Sequence, residues 1–218
     1  MIIEYCYYDT TSKDLELVDN INKAIKHDIC SVSVLLSQIK PVKSILPSDI
    51  KLSTAIDYPL GILNSESRLS MVEYAIKSGV NTIDVVCPTY YLCNRKYEKF
   101  REDIKNIQHM CSDHTEIRYI LEYRQFTYEL LYKIAQILLD FNIKTIYPSS
   151  GHFLDDISDN ILAAALINKR VPEINIVSNG NIWNNDHIKL VKNSKLYGLR
   201  VNSLNALELL SKENITKN

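Results

Sequence analysis

The chain has 218 residues, of which 46% are hydrophobic and 23% are charged, and its formal net charge at pH 7 is −1. This balance gives no strong electrostatic attraction for nucleic acid or for an anionic membrane surface. The five cysteines form no Cys-x-x-Cys pair, so the sequence predicts reduced thiols rather than a disulfide framework or a zinc site. No run of about 18 apolar residues occurs and the N-terminus lacks the pattern of a secretory signal, so we expect a cytoplasmic protein.

Short β-branched runs alternate with longer amphipathic segments along the chain. The predicted strands are Ile2–Tyr8, Ile29–Leu36, Lys51–Ile56, Thr82–Val86, Glu116–Leu121, Thr145–Tyr147, Ile174–Ser178 and Leu196–Val201. The predicted helices, which have apolar residues at helical spacing, are Ser12–His27, Ser65–Ser78, Arg95–Cys111, Tyr128–Phe141, Asp159–Asn168, Asn185–Asn193 and Ser203–Ser211. A further short helix is predicted to end near Leu46, and Ser65 is predicted to cap the helix that it opens.

Strands that alternate with helices pair in parallel through right-handed crossovers. Eight such units in one domain-sized chain predict an α/β fold, a single (β/α)8 TIM barrel over residues 1–218, with about 212–218 as a flexible C-terminal tail. An open nucleotide-binding sheet is the alternative, but neither Gly-x-Gly-x-x-Gly nor a Walker loop occurs.

Two segments share one pattern, in which a residue that tolerates the left-handed conformation ends a helix and a strand follows. The segment Gly79–Asp84 leads into the fourth strand, and Asn142–Tyr147 leads into the sixth. Aligning them makes Asp84 equivalent to Tyr147, so both are predicted to point inward near the C-terminal mouth of the barrel. The same alignment places Lys144 at the opposite end.

Six segments near strand ends contain short motifs, with the pattern that each one matches in parentheses: Ser53–Gly61 (V-x-x-F-P-L-G), Asn81–Pro88 (D-E-V-D-V-V-x-P), Arg118–Glu122 (K-V-I-I-E), Ser149–Gly151 (the end of K-T-S-T-G), Asn179–Ile182 (S-G-G-I) and Val201–Ser203 (A-S-S). These segments resemble motifs of the deoxyribose-phosphate aldolase family of class I aldolases. In their order around a barrel they cover the chain from about Lys51 to Leu210.

The resemblance implies covalent catalysis by a lysine that forms a Schiff base, a second lysine that lowers its pKa, and an aspartate that moves protons. It assigns the aspartate to Asp84, the Schiff-base position to Tyr147 and the second lysine position to Val177. Both lysines are therefore replaced, and a phenol cannot form an imine. Lys144 would reach the site only through an insertion of three residues before Ser149, which breaks the shared register.

The candidate catalytic residues are Asp84, Glu122 and Tyr147, with Lys144 as an alternative. The opposing interpretation is that the two acids pair with basic neighbours and that Tyr147 fills the space of the missing lysine and substrate. The candidate phosphate-binding residues, which the resemblance places on the last three strand ends, are Ser149, Ser150, Gly151, Gly180, Asn181, Arg200, Asn202 and Ser203. Serine and asparagine there are equally typical of turns and helix caps, and Arg200 would either bind an anion or block the site.

Three functional hypotheses remain open. The first is a pseudoenzyme barrel that binds a sugar phosphate or a protein partner without Schiff-base chemistry. The second is an enzyme of altered lyase or isomerase chemistry that uses the three candidate groups as acids and bases. The third is a true deoxyribose-phosphate aldolase with a relocated lysine. We predict no cofactor, no metal, no nucleic-acid partner and no membrane partner, and a homodimer stays open.

Overall fold

Eight parallel strands close into a barrel in the order in which they occur along the chain. They are β1 (Ile2–Tyr7), β2 (Ser31–Val34), β3 (Lys51–Ile56), β4 (Thr82–Val86), β5 (Glu116–Ile120), β6 (Thr145–Tyr147), β7 (Asn175–Asn179) and β8 (Gly198–Val201). The computed structural model describes residues 1–111, 115–153, 156–213 and 215. Because β8 pairs with β1, the sheet has no open edge, and the predicted (β/α)8 barrel is confirmed.

Helices cover the outside of the barrel. They are α1 (Asp14–Ala24), α2 (Ile39–Lys43), α3 (Ser65–Lys77), α4 (Thr89–Cys93), α5 (Tyr97–Met110), α6 (Tyr128–Asp140), α7 (Ile157–Arg170), α8 (Asn185–Asn193) and α9 (Leu204–Lys212), with 3-10 turns at Leu36–Gln38 and Tyr123–Gln125. Among the described residues, none of these helices combines the length and the apolar character needed to cross a bilayer. Of the predicted C-terminal tail, Lys212 belongs to α9, and residues 214 and 216–218 lie outside the described part.

Two local predictions were wrong. The helix predicted from Arg95 begins at Tyr97, because Arg95 has a φ of 56° and cannot continue a right-handed helix. The short helix α4 before it was not predicted. Asn64 rather than Ser65 caps α3, since the Asn64 side chain accepts a hydrogen bond from the backbone N–H of Ser67 at 2.8 Å.

The shared register of the fourth and sixth strands is confirmed. Gly79 and Asn142 have φ angles of 76° and 58°, so both end their helices in the left-handed conformation. Asp84 and Tyr147 then follow at the same distance along their strands, and both side chains point into the barrel. Neither reaches the mouth, however, because both are fully buried beneath it.

The barrel interior is polar at mid-height. Side chains alternate between the two sides of a strand, and residues in register on neighbouring strands face the same side. Glu4 pairs with Ser31 on β2, and Asp84 pairs with Arg118 on β5, and all four side chains face inward. The intervening Ile83 faces the helices and belongs to the apolar layer between strands and helices. This alternation brings ionisable side chains from distant parts of the sequence to the centre.

Candidate functional site

Two acids and two arginines meet at the centre of the barrel, and we call Glu4, Asp84, Arg118 and Arg200 the central ion cluster. Arg118 lies 2.6 Å from Glu4, measured from Nη1 to Oε1, and 2.8 Å from Asp84, measured from Nε to Oδ1. The Nη2 atom of Arg200 lies 2.8 Å from Oε2 of Glu4 and 2.7 Å from Oδ2 of Asp84. Each arginine therefore contacts both acids, and all four residues are buried.

The phenol of Tyr147 completes this cluster. Its Oη donates a hydrogen bond to Oε2 of Glu4 at 2.7 Å and accepts one from Nη2 of Arg200 at 2.6 Å. The guanidinium carbons of Arg200 and Arg118 lie 4.1 Å and 5.1 Å from the centre of its ring. Tyr147, at the predicted Schiff-base position, is thus held on its edge and its face by neighbouring charges.

All four side chains of the central ion cluster are charged, and their charges cancel. Burial opposes charge on Glu4 and Asp84, but Arg118 and Arg200 outweigh it and hold the pKa of both carboxyls below the usual range. The same acids raise the pKa of both arginines well above the usual value, again against burial. Burial raises the pKa of the Tyr147 phenol well above its ordinary value, so the phenol stays neutral. Two negative and two positive charges therefore face each other away from water.

No lysine among the described residues reaches the barrel interior, since every one of them is exposed. Lys144 immediately precedes β6, at the end of the barrel opposite to the mouth. Val177, at the predicted position of the second lysine, is buried in an apolar cluster with Val86, Ile120 and Tyr147. Neither of the two predicted lysine positions, nor the alternative at Lys144, brings an amine to the interior.

Glu122 lies apart from the other two candidate catalytic residues. It follows β5 in a left-handed conformation, and its Oε2 accepts hydrogen bonds from the backbone N–H of Ser150 at 3.0 Å and from its hydroxyl at 2.5 Å. The side-chain amide of Asn179 donates to the backbone oxygen of Ser150 at 2.9 Å. Glu122 thus orders the loop after β6, whereas Asp84 and Tyr147 both bond to Arg200 below it.

The candidate phosphate-binding residues divide into three groups. Ser150, Gly151 and Asn202 line a pocket at the mouth, while Ser149, Gly180, Asn181 and Ser203 are outside its lining. Arg200 belongs to neither group, because its guanidinium is buried in the central ion cluster. The placement of Arg200 among the phosphate loops is therefore corrected, and its side chain does not cross them.

Hydroxyl groups in these loops serve as local caps. The Ser149 hydroxyl accepts from the backbone N–H of Gly151 at 3.0 Å, and the Ser150 hydroxyl oxygen accepts from that of His152 at 3.2 Å. Ser203 caps α9, since its hydroxyl oxygen accepts from the backbone N–H of Ala206 at 3.2 Å. These bonds are the turn and cap contacts that serine ordinarily makes.

A pocket of about 350 Å³ opens at the C-terminal mouth, and we call it the mouth pocket. It is lined by Cys6, Tyr7, Tyr8, Asp9, Tyr58, Ser150, Gly151, His152, Asn179 and Asn202. The Oη of Tyr8 lies 3.4 Å from Nη1 of Arg200 and 2.6 Å from the Ser33 hydroxyl. Tyr8 therefore forms part of the floor that separates the mouth pocket from the central ion cluster.

The residues that the ends of β1, β3 and β7 contribute to this pocket were not predicted from the sequence, namely Cys6, Tyr7, Tyr8, Asp9, Tyr58 and Asn179. Their position was the available signal, because in a β/α barrel the residues at the C-terminal ends of the strands line the ligand-binding face.

A buried ion triad supports the loop that carries Tyr58. Arg68 contacts Oδ2 of Asp57 at 2.6 Å and Oδ2 of Asp103 at 3.0 Å. Asp57 in turn accepts hydrogen bonds from the backbone N–H groups of Ile62 and Leu63. The loop after β3 is thus held by a charged anchor, which fixes one wall of the mouth pocket.

Comparison with known proteins identifies sequence relatives along most of the chain. A deoxyribose-phosphate aldolase of Metamycoplasma hominis is 30% identical over 142 residues, and the match spans 65% of this chain and 64% of that protein, a little under two thirds. A deoxyribose-phosphate aldolase of Mycoplasmopsis pulmonis is 24% identical over 211 residues, 96% of this chain and 93% of that protein. No family model matches the chain.

Solved structures share the fold. The aldolase QR15 superposes with a TM-score of 0.85 at 19% identity, over 98% of this chain and 96% of that one. The deoxyribose phosphate aldolase of Aeropyrum pernix superposes with a TM-score of 0.81 at 13% identity, over 98% and 90%. The resemblance first seen in the strand motifs thus extends to relatives that match over most of their length and to the closed barrel, so the chain is similar in sequence and in fold to deoxyribose-phosphate aldolases.

Proposed function

We propose that this chain is a member of the aldolase family that performs no Schiff-base chemistry and acts by binding a sugar-like ligand at the mouth of its barrel. The observation that carries the proposal is the environment of Tyr147. Its phenol occupies the predicted lysine position and is hydrogen-bonded to Glu4 and Arg200. An imine requires a neutral amine beside the substrate carbonyl, and the described lysines are all exposed.

The central ion cluster also lies outside the mouth pocket, since none of its four residues lines that pocket. Asp84, Tyr147 and Arg200 are each fully buried, and Tyr8 lies between them and the mouth pocket. A sugar that enters from the mouth would stop at the floor. This geometry supports ligand binding above the cluster rather than bond cleavage within it.

Altered acid–base chemistry receives less support. A general base or acid works best when its pKa lies near the working pH. The pKa of Asp84 is lowered by the two arginines against the effect of burial, and burial raises the pKa of Tyr147 well above its usual value. Glu122 is engaged with Ser150 in a separate loop. These three groups are therefore poorly placed to exchange protons with one substrate.

The ligand that the resemblance suggests is a sugar phosphate, and a protein partner that docks at the mouth is the alternative. The mouth pocket, at about 350 Å³, has the size of a small-molecule site. We expect an added ligand to raise the melting temperature, since binding at 100-fold excess over the Kd adds about 2.7 kcal/mol to the free energy of unfolding.

Borohydride trapping tests the absence of Schiff-base chemistry. The chain is incubated with 2-deoxyribose 5-phosphate and sodium borohydride, and its intact mass is measured, with the aldolase of Aeropyrum pernix as the positive control. We expect no adduct on this chain. A stable adduct would overturn the proposal, and its loss in Lys144→Ala would assign the chemistry to the relocated lysine.

A further inference from the structure

The mouth pocket has few of the groups that hold a phosphate ester. Among its described lining residues, Asp9 is a carboxylate and none is lysine or arginine. The guanidinium of Arg200 lies under Tyr8 and is committed to Glu4 and Asp84. Phosphate recognition in proteins ordinarily uses Arg or Lys together with free backbone N–H groups. A dianionic ester in this pocket would face Asp9 without a compensating cation.

The backbone N–H groups of the loop after β6 are also occupied. The N–H of Gly151 donates to the Ser149 hydroxyl, and that of His152 donates to the Ser150 hydroxyl. The N–H of Ser150 donates to Glu122. Three consecutive amides are therefore bonded within the protein and are not free to bind an anion.

What the pocket offers instead is an aromatic wall. The rings of Tyr8 and Tyr58 have centroids 4.6 Å apart, and His152 lies edge-on to Tyr58 at 5.8 Å. Phe153 extends this row, with its ring centroid 5.3 Å from that of His152. Aromatic faces bind other rings by stacking, and they do so without requiring charge on the ligand.

Two side-chain amides complete the lining. Asn179 is buried and is fixed by its hydrogen bond to the Ser150 backbone oxygen, whereas Asn202 is exposed at the rim. An amide side chain carries both donors and acceptors, so it can bond a ligand hydroxyl in either direction. Aromatic faces beside amides and one carboxylate, Asp9, suit a neutral ring that bears hydroxyl groups.

From this lining we infer that the mouth pocket binds an uncharged, hydroxyl-bearing ring, as in a free sugar or a nucleoside, in preference to a phosphate ester. The inference rests on the proposed function, because it names the ligand class of the same site. The volume of about 350 Å³ accommodates a single ring or a nucleoside.

Calorimetric titration with matched compounds tests the inference. The probes are 2-deoxyribose, thymidine and 2-deoxyribose 5-phosphate, so that the sugar and nucleoside sources are separated and the phosphate is varied alone. We expect 2-deoxyribose or thymidine to bind at least tenfold more tightly than the ester, a difference of about 1.4 kcal/mol. Tighter binding of the ester would overturn this inference while leaving the proposed function standing, and failure of all three to bind would overturn both.

Variants of the aromatic wall test whether the ligand binds in the mouth pocket. Tyr58→Leu is expected to weaken binding of the preferred neutral probe at least fivefold, whereas Tyr90→Leu, which changes an exposed tyrosine outside the pocket, leaves it unchanged. His152→Ala, at an exposed wall position, is a second variant in case the first does not fold. Equal affinity in wild type, Tyr58→Leu and His152→Ala would overturn the assignment to this pocket.

A positive charge added at the rim of the pocket provides the complementary test. Asn202→Lys places a cation on the rim and is expected to strengthen binding of the phosphate ester at least fivefold. Asn205→Lys adds the same charge at an exposed position outside the lining and is expected to leave the affinity unchanged. If both variants strengthen ester binding equally, overall charge rather than the pocket determines the preference, which would overturn the inference.

Discussion

The phenolic Oη of Tyr147 lies 2.7 Å from Oε2 of Glu4 and joins β6 to β1 across the interior of the barrel. Arg200 bonds to both groups, so the tyrosine is hydrogen-bonded to the central ion cluster and is not only a side chain that fills space. In such a network, the loss of one member leaves its partners buried without compensation. The stability of the barrel should therefore depend on residues that lie far apart in the sequence.

Removal of one acid from the cluster should be strongly destabilising. Glu4→Gln keeps the size of the side chain but leaves Arg118 and Arg200 with one carboxylate between them. Breaking a buried ion pair in this way ordinarily costs about 3–5 kcal/mol. Urea unfolding measures the change, and Glu73→Gln, which removes an exposed partner of Lys77, should cost less than about 1 kcal/mol. A similar loss in both variants would contradict a special role for the cluster.

Two buried tyrosines should respond differently to the loss of their hydroxyl. Tyr147→Phe removes a donor to Glu4 and an acceptor for Arg200, so we expect it to lower the free energy of unfolding by about 1–3 kcal/mol. The Tyr119 hydroxyl is buried without a hydrogen-bond partner among the described residues, so Tyr119→Phe should be neutral or stabilising. Urea unfolding of both variants tests the contrast, and a destabilised Tyr119→Phe would contradict it.

Acid should destabilise the barrel through its buried carboxylates. The pKa values of Glu4 and Asp84 are lowered in the folded state, so their contribution is present above the unfolded values and is lost as the pH falls through the folded values. Asp103 acts in the opposite direction, because burial raises its pKa and the folded state takes up its proton first. Because two carboxyls with lowered pKa values oppose one with a raised pKa, we expect the free energy of unfolding to decline as the pH falls below about 4.

A pair of variants isolates this effect. In Asp84→Asn the dependence of the free energy of unfolding on pH should be shallower by up to about 1.4 kcal/mol per pH unit, since one linked proton is removed. Asp19→Asn, which alters an exposed partner of Lys23, serves as the control with an unchanged slope. The measurement is urea unfolding from pH 2 to pH 6, and equal slopes in all three proteins would refute the assignment.

Glycines with a left-handed backbone should differ in their tolerance of a side chain. Gly61 has a φ of 63°, and an added Cβ would lie 2.1 Å from the backbone oxygen of Cys87. Gly79 has a φ of 76°, but its added Cβ would meet the flexible end of Lys43. Asn142 adopts this conformation at the equivalent position, so Gly79→Asn should cost about 1 kcal/mol and Gly61→Asn more than about 3 kcal/mol. Thermal unfolding measures the difference, and equal losses would contradict the argument.

The fold was predictable from the sequence because its signals are local. Strands β3, β4 and β6 have the predicted bounds, since β-branched runs between turn residues define them. The equivalent helix ends at Gly79 and Asn142 also predicted correctly that Asp84 and Tyr147 face the interior of the barrel. Helix α4 was missed because five residues give too short a periodic pattern to recognise.

The site was predictable only in part, because its partners are distant in sequence. The sequence identified Asp84, Tyr147 and Arg200 individually, but it assigned Arg200 to a phosphate site. Glu4, which is bonded to both Tyr147 and Arg200, lies before the part of the chain that the family resemblance covers. Which charges meet in a closed barrel depends on strand register, and a pattern along one strand contains no such information.

Restoring the lysine alone should therefore fail to restore aldolase chemistry. Tyr147→Lys brings a third cation beside Arg118 and Arg200 with only two acids present, so we expect a large loss of stability. Combining it with Arg200→Ala returns the cluster to two positive and two negative charges. The double variant should then lose less stability than the sum of the two single variants. We expect the difference in the free energy of unfolding, measured by urea unfolding in a double-mutant cycle, to be about 0.5–3 kcal/mol.

The double variant also separates charge balance from chemistry. Glu4 and Asp84 would pair with the new ammonium group and hold it protonated, and a protonated amine cannot attack a carbonyl. We therefore expect no borohydride-trapped adduct with acetaldehyde in the double variant, even where its stability recovers; Tyr90→Lys, with an exposed lysine, controls for non-specific labelling. A specific adduct at position 147 would mean that these two substitutions are enough to give the barrel imine chemistry. Its absence would show that Glu4 and Asp84 have to change as well.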